Sequence, residues 1–235
     1  MLRVFVPSTE VTDGRVRITG AELKHLRTLR LGRGARLVVF DEAGLEHDVR
    51  IDKVWAQAAE ATIAATRRPE RESRLALRLA PALLKGDKMD LVIEKATELG
   101  VVAVSPVVAR HSIARRAPTE RWRRIALAAA KQSGRTRVPT VDEPVALAAL
   151  LAAPRPGLGV VAWEGETTQG LADLPADAGA ATLVVGPEGG FAGDEVELAR
   201  RHGFVTMRLA PRILRAETAA IAAVVLCQQR WGDVG

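Results

Sequence analysis

The chain has 235 residues, of which 48% are hydrophobic, and 34 Lys and Arg against 28 Asp and Glu give a net charge of +6. This apolar content is enough for one large or two small packed domains. The single cysteine, Cys227, excludes an intrachain disulfide and a cysteine metal site, as expected in a reducing cytosol. No segment approaches about 18 uninterrupted apolar residues, and the N-terminus lacks a signal-peptide pattern. We therefore predict a cytoplasmic protein without a membrane span.

Short β-rich runs separated by turn residues dominate the N-terminal part. This pattern is typical of a small β-barrel. A charged, proline-containing segment over residues 67–73 lacks apolar periodicity and is predicted to be a linker. The predicted strands before it are residues 3–6, 15–18, 36–41, 47–54 and 58–66.

After the linker, apolar strands alternate with helical patterns, which predicts an α/β domain with a mainly parallel sheet. In the helix predicted over residues 87–99, the apolar residues lie on one stripe, and Gly100 stands where a C-terminal cap belongs. The predicted strands are residues 75–81, 101–108, 158–163, 182–185 and 205–209.

The sequence lacks the motifs of several kinds of enzyme chemistry. There is no P-loop, no Gly-x-Ser-x-Gly and no Cys/His pair. Residues 157–162 match Gly-x-Gly-x-x-Ala, but they enter a strand instead of opening a helix. No metal site is predicted, because metal-ligand spacing is absent among His25, His47, His111 and His202. These exclusions leave a reaction in which a cofactor carries the reactive group.

Two loops near the C-terminus predict a small-molecule pocket. The apolar run 183–185 ends in Gly-Pro-Glu-Gly-Gly-Phe over residues 186–191, and a second loop, Leu-Ala-Pro-Arg-Ile-Leu-Arg-Ala-Glu-Thr-Ala, covers residues 209–219. Glycine allows a backbone to approach a ligand closely, and Pro187 fixes its own φ. Such loops present shaped main-chain donors and acceptors.

Both loops, in this order and at strand ends, resemble the SPOUT superfamily, in particular the ribosomal small subunit methyltransferase E family. That family methylates N3 of a uridine in 16S ribosomal RNA. Its second loop usually has a glycine and a threonine where this chain has Ala210 and Ala216. Residues 88–100 and 131–135 also resemble family motifs, with Lys131 in place of the usual acid.

The resemblance implies an α/β fold with a C-terminal SPOUT α/β-knot domain. This domain would hold a deep trefoil knot and a mainly parallel sheet, preceded by an N-terminal PUA-like β-barrel. Residues 1–72 would be the RNA-binding barrel and residues 73–235 the methyltransferase domain. The implied cofactor is S-adenosyl-L-methionine, the implied partner is 16S ribosomal RNA or the small ribosomal subunit, and the implied assembly is a homodimer.

Arg215 is the candidate catalytic residue, because its guanidinium could hold a uracil carbonyl oxygen or a phosphate as charge develops. Glu217 either accepts a proton or caps the last helix, predicted over residues 218–229. Glu188 either binds ligand amines or orders its loop. The expected cofactor-binding residues are Gly186, Pro187, Glu188, Gly189, Gly190, Leu209, Ala210, Ile213, Leu214, Arg215, Thr218 and Ala219.

Two basic segments are candidates for RNA binding. Residues 110–137 carry nine basic residues and one acid, which favours a polyanion or, alternatively, forms a solvated face. Residues 25–30 resemble a PUA pattern. The expected RNA-binding residues are Lys24, Arg27, Arg30, Arg110, Arg115, Arg116 and Arg135.

Two alternatives stay open at this stage. One is a SPOUT enzyme that methylates another base or a ribose 2'-hydroxyl. The other is a non-catalytic RNA-binding protein of ribosome assembly.

Overall fold

The computed structural model describes residues 1–113 and 117–235. Among the described residues, no helix combines the length and apolar character needed to cross a membrane. The chain divides into two compact units, the first made of Met1–Glu72 and Ala130–Val138 and the second of Ser73–Ala129 and Pro139–Gly235.

The first unit contains six strands and one complete α-helix. These are β1 (Arg3–Phe5), β2 (Val11–Thr12), β3 (Arg15–Ile18), α1 (Gly20–Thr28), β4 (Arg36–Phe40), β5 (Glu46–Val54) and β6 (Ala59–Arg67). Strand β3 shows why they form: Val16 and Ile18 are buried while the arginines between them are exposed, the two-residue period of a half-buried strand. All five strands predicted for this part are confirmed to within one residue at each end.

The six strands form one mixed sheet in the order β1–β4–β5–β6–β3–β2. Strand β1 pairs parallel with β4, and the other neighbours are antiparallel. The two edges are β1 and β2, so strand pairing leaves the sheet open between them. Leu23 and Leu26 of α1 join the buried face of the sheet in a single core.

A buried carboxylate anchors the end of this unit. Glu46 has no exposed surface and bonds the guanidinium groups of Arg3, Arg67 and Arg71. Burial alone would raise the pKa of Glu46, but the hydrogen bonds from Arg3 and Arg67 hold that pKa below its ordinary value. Residues 67–72 of the segment predicted as a linker belong to the first unit, and Glu46 fixes Arg67 and Arg71 to it.

The second unit alternates strands and helices, which confirms the predicted α/β class. Its strands are β7 (Ala76–Pro81), β8 (Ala103–Val104), β9 (Val107–Val108), β10 (Thr140–Val141), β11 (Val145–Ala146), β12 (Leu158–Ala162), β13 (Ala180–Val185) and β14 (Phe204–Met207). Its helices are α2 (Lys88–Glu98), α3 (Thr119–Ser133), of which residues 130–133 belong to the first unit, α4 (Leu147–Ala152), α5 (Gly193–Arg201) and α6 (Ala216–Trp231).

Six of these strands form a fully parallel sheet in the order β10–β8–β7–β13–β12–β14. The middle strands are almost continuously buried, with Val160, Val161, Leu183 and Val184 at 3% exposure or less. Strands covered on both faces show such unbroken apolar runs. Strands β9 and β11 form a separate parallel pair.

Two sequence predictions can be compared in detail with these elements. The helix over residues 87–99 is confirmed as α2, and Gly100, at φ +86°, follows its end. The single strand over residues 101–108 is wrong, because the structure has β8 and β9 in different sheets. Pro106 lies between them and cannot donate a backbone hydrogen bond to continue the first ladder.

Gly157 provides a test of how β12 and β13 approach each other. It has φ +68°, and a Cβ there would overlap the carbonyl oxygen of Ala180. We expect Gly157→Ala to lower the free energy of unfolding by at least about 2 kcal/mol, because the strain of a positive φ and the clash with the Ala180 carbonyl both destabilise the folded state. Urea denaturation measures this.

The matched control is Gly193→Ala at the start of α5, where an added Cβ meets no atom within 4 Å. We expect that variant to differ from wild type by less than about 1 kcal/mol. Equal stability of the two variants would contradict the close approach of β12 and β13.

Candidate active site

Three loops of the second unit meet at the carboxyl edge of the parallel sheet. Ala162 of β12 pairs with both Val185 of β13 and Met207 of β14, so these strands end at the same level. A cavity of about 360 Å³ lies among the loops that follow. This volume and this position at strand ends are typical of small-molecule sites in α/β proteins.

Most residues expected to bind a cofactor lie together around this cavity. Gly189 and Thr218 belong to the expected set but are not part of the lining. The expected residues that do line the cavity are Gly186, Pro187, Glu188, Gly190, Leu209, Ala210, Ile213, Leu214, Arg215 and Ala219.

Five polar or aromatic residues of the lining are not in the set of expected cofactor-binding residues: Lys88, Trp163, Glu164, Arg208 and Arg212. Four of them directly follow β12 or lie in the loop after β14. The rule that ligands bind beyond the carboxyl ends of parallel strands could have found these four. Lys88 begins α2, far away in sequence, and although it opens the segment 88–100 that resembles a family motif, nothing in that segment predicted its place at the cavity.

The glycine loop, residues 186–190, is shaped by its neighbours. Gly190 has φ +70°, and a Cβ there would overlap Oε1 of Glu164. A Cβ at Gly189 would lie 2.9 Å from Cβ of His111, whose Nδ1 is 3.0 Å from the carbonyl oxygen of Gly189. The loop is therefore packed on one side by His111 and faces the cavity through Gly190.

A lysine joins two loops at the cavity wall. Lys88 Nζ lies 2.9 Å from Glu188 Oε1 and 3.4 Å from Glu217 Oε2, and its pKa is raised by the hydrogen bond to Glu188. Burial would raise the pKa of Glu188, but the hydrogen bond and charge of Lys88, together with hydrogen bonds from the backbone N–H groups of Glu188 and Lys85, outweigh it, and the pKa lies below its ordinary value. Both glutamates considered from the sequence are thus ion-paired.

The loop after β12 is held by a buried carboxylate, Glu166. It accepts hydrogen bonds from the hydroxyl of Thr206 at 2.5 Å and from the hydroxyl and N–H of Thr168 at 2.8 and 2.9 Å. The N–H of Gln169 donates a further bond at 3.1 Å. These bonds, led by that from Thr206, lower the pKa of Glu166 to about 2. Glu166 thereby fixes the loop that carries Trp163 and Glu164.

Arg208, Arg212 and Arg215 form an arginine rim at the mouth of the cavity. All three residues are exposed and line the cavity. Within the part of the chain that the structure describes, their guanidinium groups have no ion-pair or hydrogen-bond partner. Arg215 directly precedes α6, and its carbonyl oxygen accepts the N–H of Ala219 at 2.8 Å. The rim is free to bind an anion.

The expected RNA-binding residues of the first unit differ in availability. Lys24, Arg27 and Arg30 are exposed on α1 and the turn after it. Arg135 is only 4% exposed, and its guanidinium donates to Glu72 at 2.6 and 3.0 Å. As placed, Arg135 holds its own unit together, so the expectation that it contacts RNA does not fit its burial.

In the second unit, Arg110 is 58% exposed at its side chain and pairs with Asp194 at 2.5 Å. Arg115 and Arg116 lie outside the described residues. Among the residues that are described, no group of three or more His, Cys, Asp and Glu side chains is arranged to hold a metal ion.

The pH dependence of stability tests whether the Glu166 carboxylate anchors the loop after β12. A pKa lowered in the folded state means that its ionised form contributes stability above pH 4.5, the ordinary value, and that this contribution is lost as the pH falls toward about 2. We expect Glu166→Gln to be less stable than wild type at pH 7, with the difference shrinking across that window.

Urea denaturation between pH 2 and pH 7 measures the difference. The control is Glu120→Gln, since the Glu120 side chain is 81% exposed. A pH-independent difference for Glu166→Gln would rule out the anchoring role of the carboxylate.

Comparison with known proteins agrees with this geometry. A family model described as an RNA methyltransferase domain matches residues 71–228. The ribosomal RNA small subunit methyltransferase E of Bacillus subtilis is 33% identical over 224 residues, which cover 88% of this chain and 87% of that protein. The protein of the same name from Synechocystis is 32% identical and covers 94% of this chain and 75% of its own length.

A solved structure extends the likeness to the whole fold. The ribosomal RNA small subunit methyltransferase E of Neisseria gonorrhoeae, bound to S-adenosyl methionine, has a TM-score of 0.91 at 32% identity, with 100% of each chain covered. Sequence, fold and cavity therefore agree, and the chain belongs to the ribosomal RNA small subunit methyltransferase E family of RNA methyltransferases.

Proposed function

We propose that this chain transfers a methyl group from S-adenosyl-L-methionine to N3 of a uridine in 16S ribosomal RNA of the small ribosomal subunit. The observation that carries the proposal is the cavity at the carboxyl edge of the sheet, where the glycine loop and the arginine rim meet. Family membership and the cofactor bound to the Neisseria relative support the same reaction.

The residues present fit the cofactor. Gly190 presents backbone without a Cβ, and Leu209 and Leu214 add apolar surface for an adenine. Carboxylates at the wall suit a ligand that carries a sulfonium charge. When bound, S-adenosyl-L-methionine supplies an activated methyl group, and the protein supplies position and electrostatics. Residues 186–190 and 209–219 would hold it.

The target nitrogen must lose its proton, and negative charge then spreads to the uracil carbonyl oxygens. The guanidinium of Arg215, which has no partner among the described residues, would bind such an oxygen, because its parallel N–H groups suit a carbonyl or a phosphate. Arg208 and Arg212 add positive potential at the same mouth for the phosphates of the RNA. Glu217 is tied to Lys88, which favours its structural role in the first turn of α6.

The finer features of the fold belong to the same proposal. We propose that residues 1–72 act as a PUA-like RNA-binding domain and residues 73–235 as a SPOUT domain with a trefoil knot. RNA contacts are assigned to Lys24, Arg27, Arg30, Arg110, Arg115 and Arg116, without the buried Arg135. The working form would be a homodimer, and the place of action, where ribosomal RNA is assembled into subunits, would be the cytoplasm.

Nucleoside analysis tests the proposed reaction. Deleting the gene should remove 3-methyluridine from digested 16S ribosomal RNA, and the purified chain with S-adenosyl-L-methionine should restore it to small subunits of the deletion strain. Mass spectrometry of the nucleosides measures both. A different methylated nucleoside would replace the proposed target, whereas unchanged nucleosides together with measurable RNA binding would leave only a binding role.

Arg215 tests the mechanism. We expect Arg215→Ala to lower the single-turnover methylation rate by about a hundredfold, the scale of a lost transition-state donor, with the cofactor dissociation constant unchanged. Arg215→Lys should restore little of the rate, because an ammonium lacks the planar fork.

The control is Arg201→Ala on the exposed side of α5, away from the cavity. If Arg215→Ala reaches the wild-type rate when cofactor and RNA are saturating, Arg215 takes no part in the chemistry. A parallel loss of cofactor affinity would instead assign it to holding the loop.

A further inference from the structure

Glu164 is a cavity residue without an assigned role. It lies two residues beyond β12, and Ala162 at the end of that strand pairs with Val185, the last residue before the glycine loop. A Cβ on Gly190 would overlap Oε1 of Glu164, so the carboxylate lies directly over the left-handed glycine of that loop. The absence of a side chain at position 190 is what leaves room for it.

The other carboxylates near the cavity are already engaged. Glu188 and Glu217 pair with Lys88, and Glu166 accepts hydrogen bonds from Thr206, Thr168 and Gln169. In the described part of the chain, Glu164 has neither an ion-pair nor a hydrogen-bond partner. It is therefore the acceptor at this wall that remains available to a ligand.

An ionised carboxylate only accepts hydrogen bonds, so the ligand group that it meets must be a donor or a cation. S-adenosyl-L-methionine offers four such groups: the adenine N6 amino group, the ribose hydroxyls, the α-ammonium and the sulfonium. In dinucleotide-binding α/β folds, an acid about 20 residues after the glycine loop binds a ribose hydroxyl. Glu164 precedes its glycine loop in sequence, but it follows the strand that pairs with the glycine-loop strand and ends at the same level, so it lies close to the same loop.

We propose that the Glu164 carboxylate accepts hydrogen bonds from the ribose hydroxyls of the bound cofactor. This assignment rests on the proposed function, since it requires an adenosine-containing ligand in the cavity. It makes Glu164 a binding residue that holds the nucleoside part in place, while the arginine rim acts on the RNA. A carboxylate that accepts two neighbouring O–H groups also fixes the orientation of the ribose ring.

Calorimetry with three ligands separates a contact to the adenosine part from contacts to the α-ammonium and the sulfonium. S-adenosylmethionine has ribose, ammonium and sulfonium; S-adenosylhomocysteine lacks the sulfonium charge; 5'-methylthioadenosine lacks both the charge and the amino-acid tail. We expect Glu164→Ala to weaken all three by a similar factor of about tenfold or more, as for a lost hydrogen bond to a charged group. Glu164→Gln, which keeps one acceptor oxygen, should weaken them less.

The matched control is Glu197→Gln on α5, whose side chain is 62% exposed, pairs with Arg200 and does not line the cavity. It should bind all three ligands as wild type does. Circular dichroism checks that each variant is folded, which we expect because Glu164 is exposed.

Ligands that lack one ribose hydroxyl test the contact between Glu164 and the ribose directly. Wild type should bind 2'-deoxy or 3'-deoxy 5'-methylthioadenosine more weakly than the parent compound, whereas Glu164→Ala should lose little or nothing further. Such coupling between a side chain and a ligand hydroxyl is the sign of a direct contact. A full further loss in the Glu164→Ala variant would overturn the proposal.

The remaining outcomes decide which group of the ligand, if any, Glu164 contacts. A loss confined to S-adenosylmethionine would assign Glu164 to the sulfonium, and a loss that spares only 5'-methylthioadenosine would assign it to the α-ammonium. Equal binding by wild type and variants would overturn the role of Glu164 and leave the proposed function standing. Failure of the wild type to bind any of the three ligands would overturn the proposed function itself.

Discussion

The active site of this chain depends on the parallel pairing of β12 with β13 and β14. The register that sets Ala162 beside Val185 and Met207 makes three strands end together. Three loops that are separated along the sequence meet only for this reason, and each brings something that the others lack. The loop after β12 brings Trp163 and Glu164, the next brings glycine backbone, and the last brings arginines. A slip of one residue in either pairing would turn alternate side chains to the opposite face and separate these groups.

The charges around the cavity are divided in a way that matches the two substrates of a methyl transfer to RNA. The carboxylates of Glu164 and Glu188 lie at the wall; Glu188 and the neighbouring Glu217 share the one ammonium of Lys88, whereas Glu164 pairs with no described residue. The guanidinium groups of the arginine rim, also without a partner in the described part of the chain, lie at the mouth. A small cationic cofactor thus meets negative potential at the wall, and a large polyanion meets positive potential at the neighbouring mouth. The polyanion is attracted to the mouth without entering the wall region. Because Glu166 and Lys88 fix the loops, this division does not require a ligand to organise it.

The sequence predicted most of the elements and the two main loops, because apolar periodicity and glycine positions are local signals. It failed where the deciding interaction is distant. Nothing near Lys88 reveals that it will meet Glu188, a hundred positions later in the chain. The burial of Arg135 follows from its pair with Glu72, so a basic run alone could not separate a structural arginine from one available to RNA. The strand break at Pro106 was a local signal, and the prediction of one strand over residues 101–108 gave it too little weight.

Two substitutions relative to the family pattern kept a non-catalytic binding protein open as an alternative, and the structure weakens that argument. The family's usual glycine at position 210 would matter if the backbone needed a positive φ, but among the described residues only Asp13 and Arg30 have a positive φ without being glycine. Alanine therefore adopts the conformation at 210 without strain. Ala216 is buried as the first residue of α6, where alanine is a good helix former. Alanine at both positions is therefore compatible with the shape of the loop that carries Arg215, and the argument against catalysis that rests on backbone strain falls away.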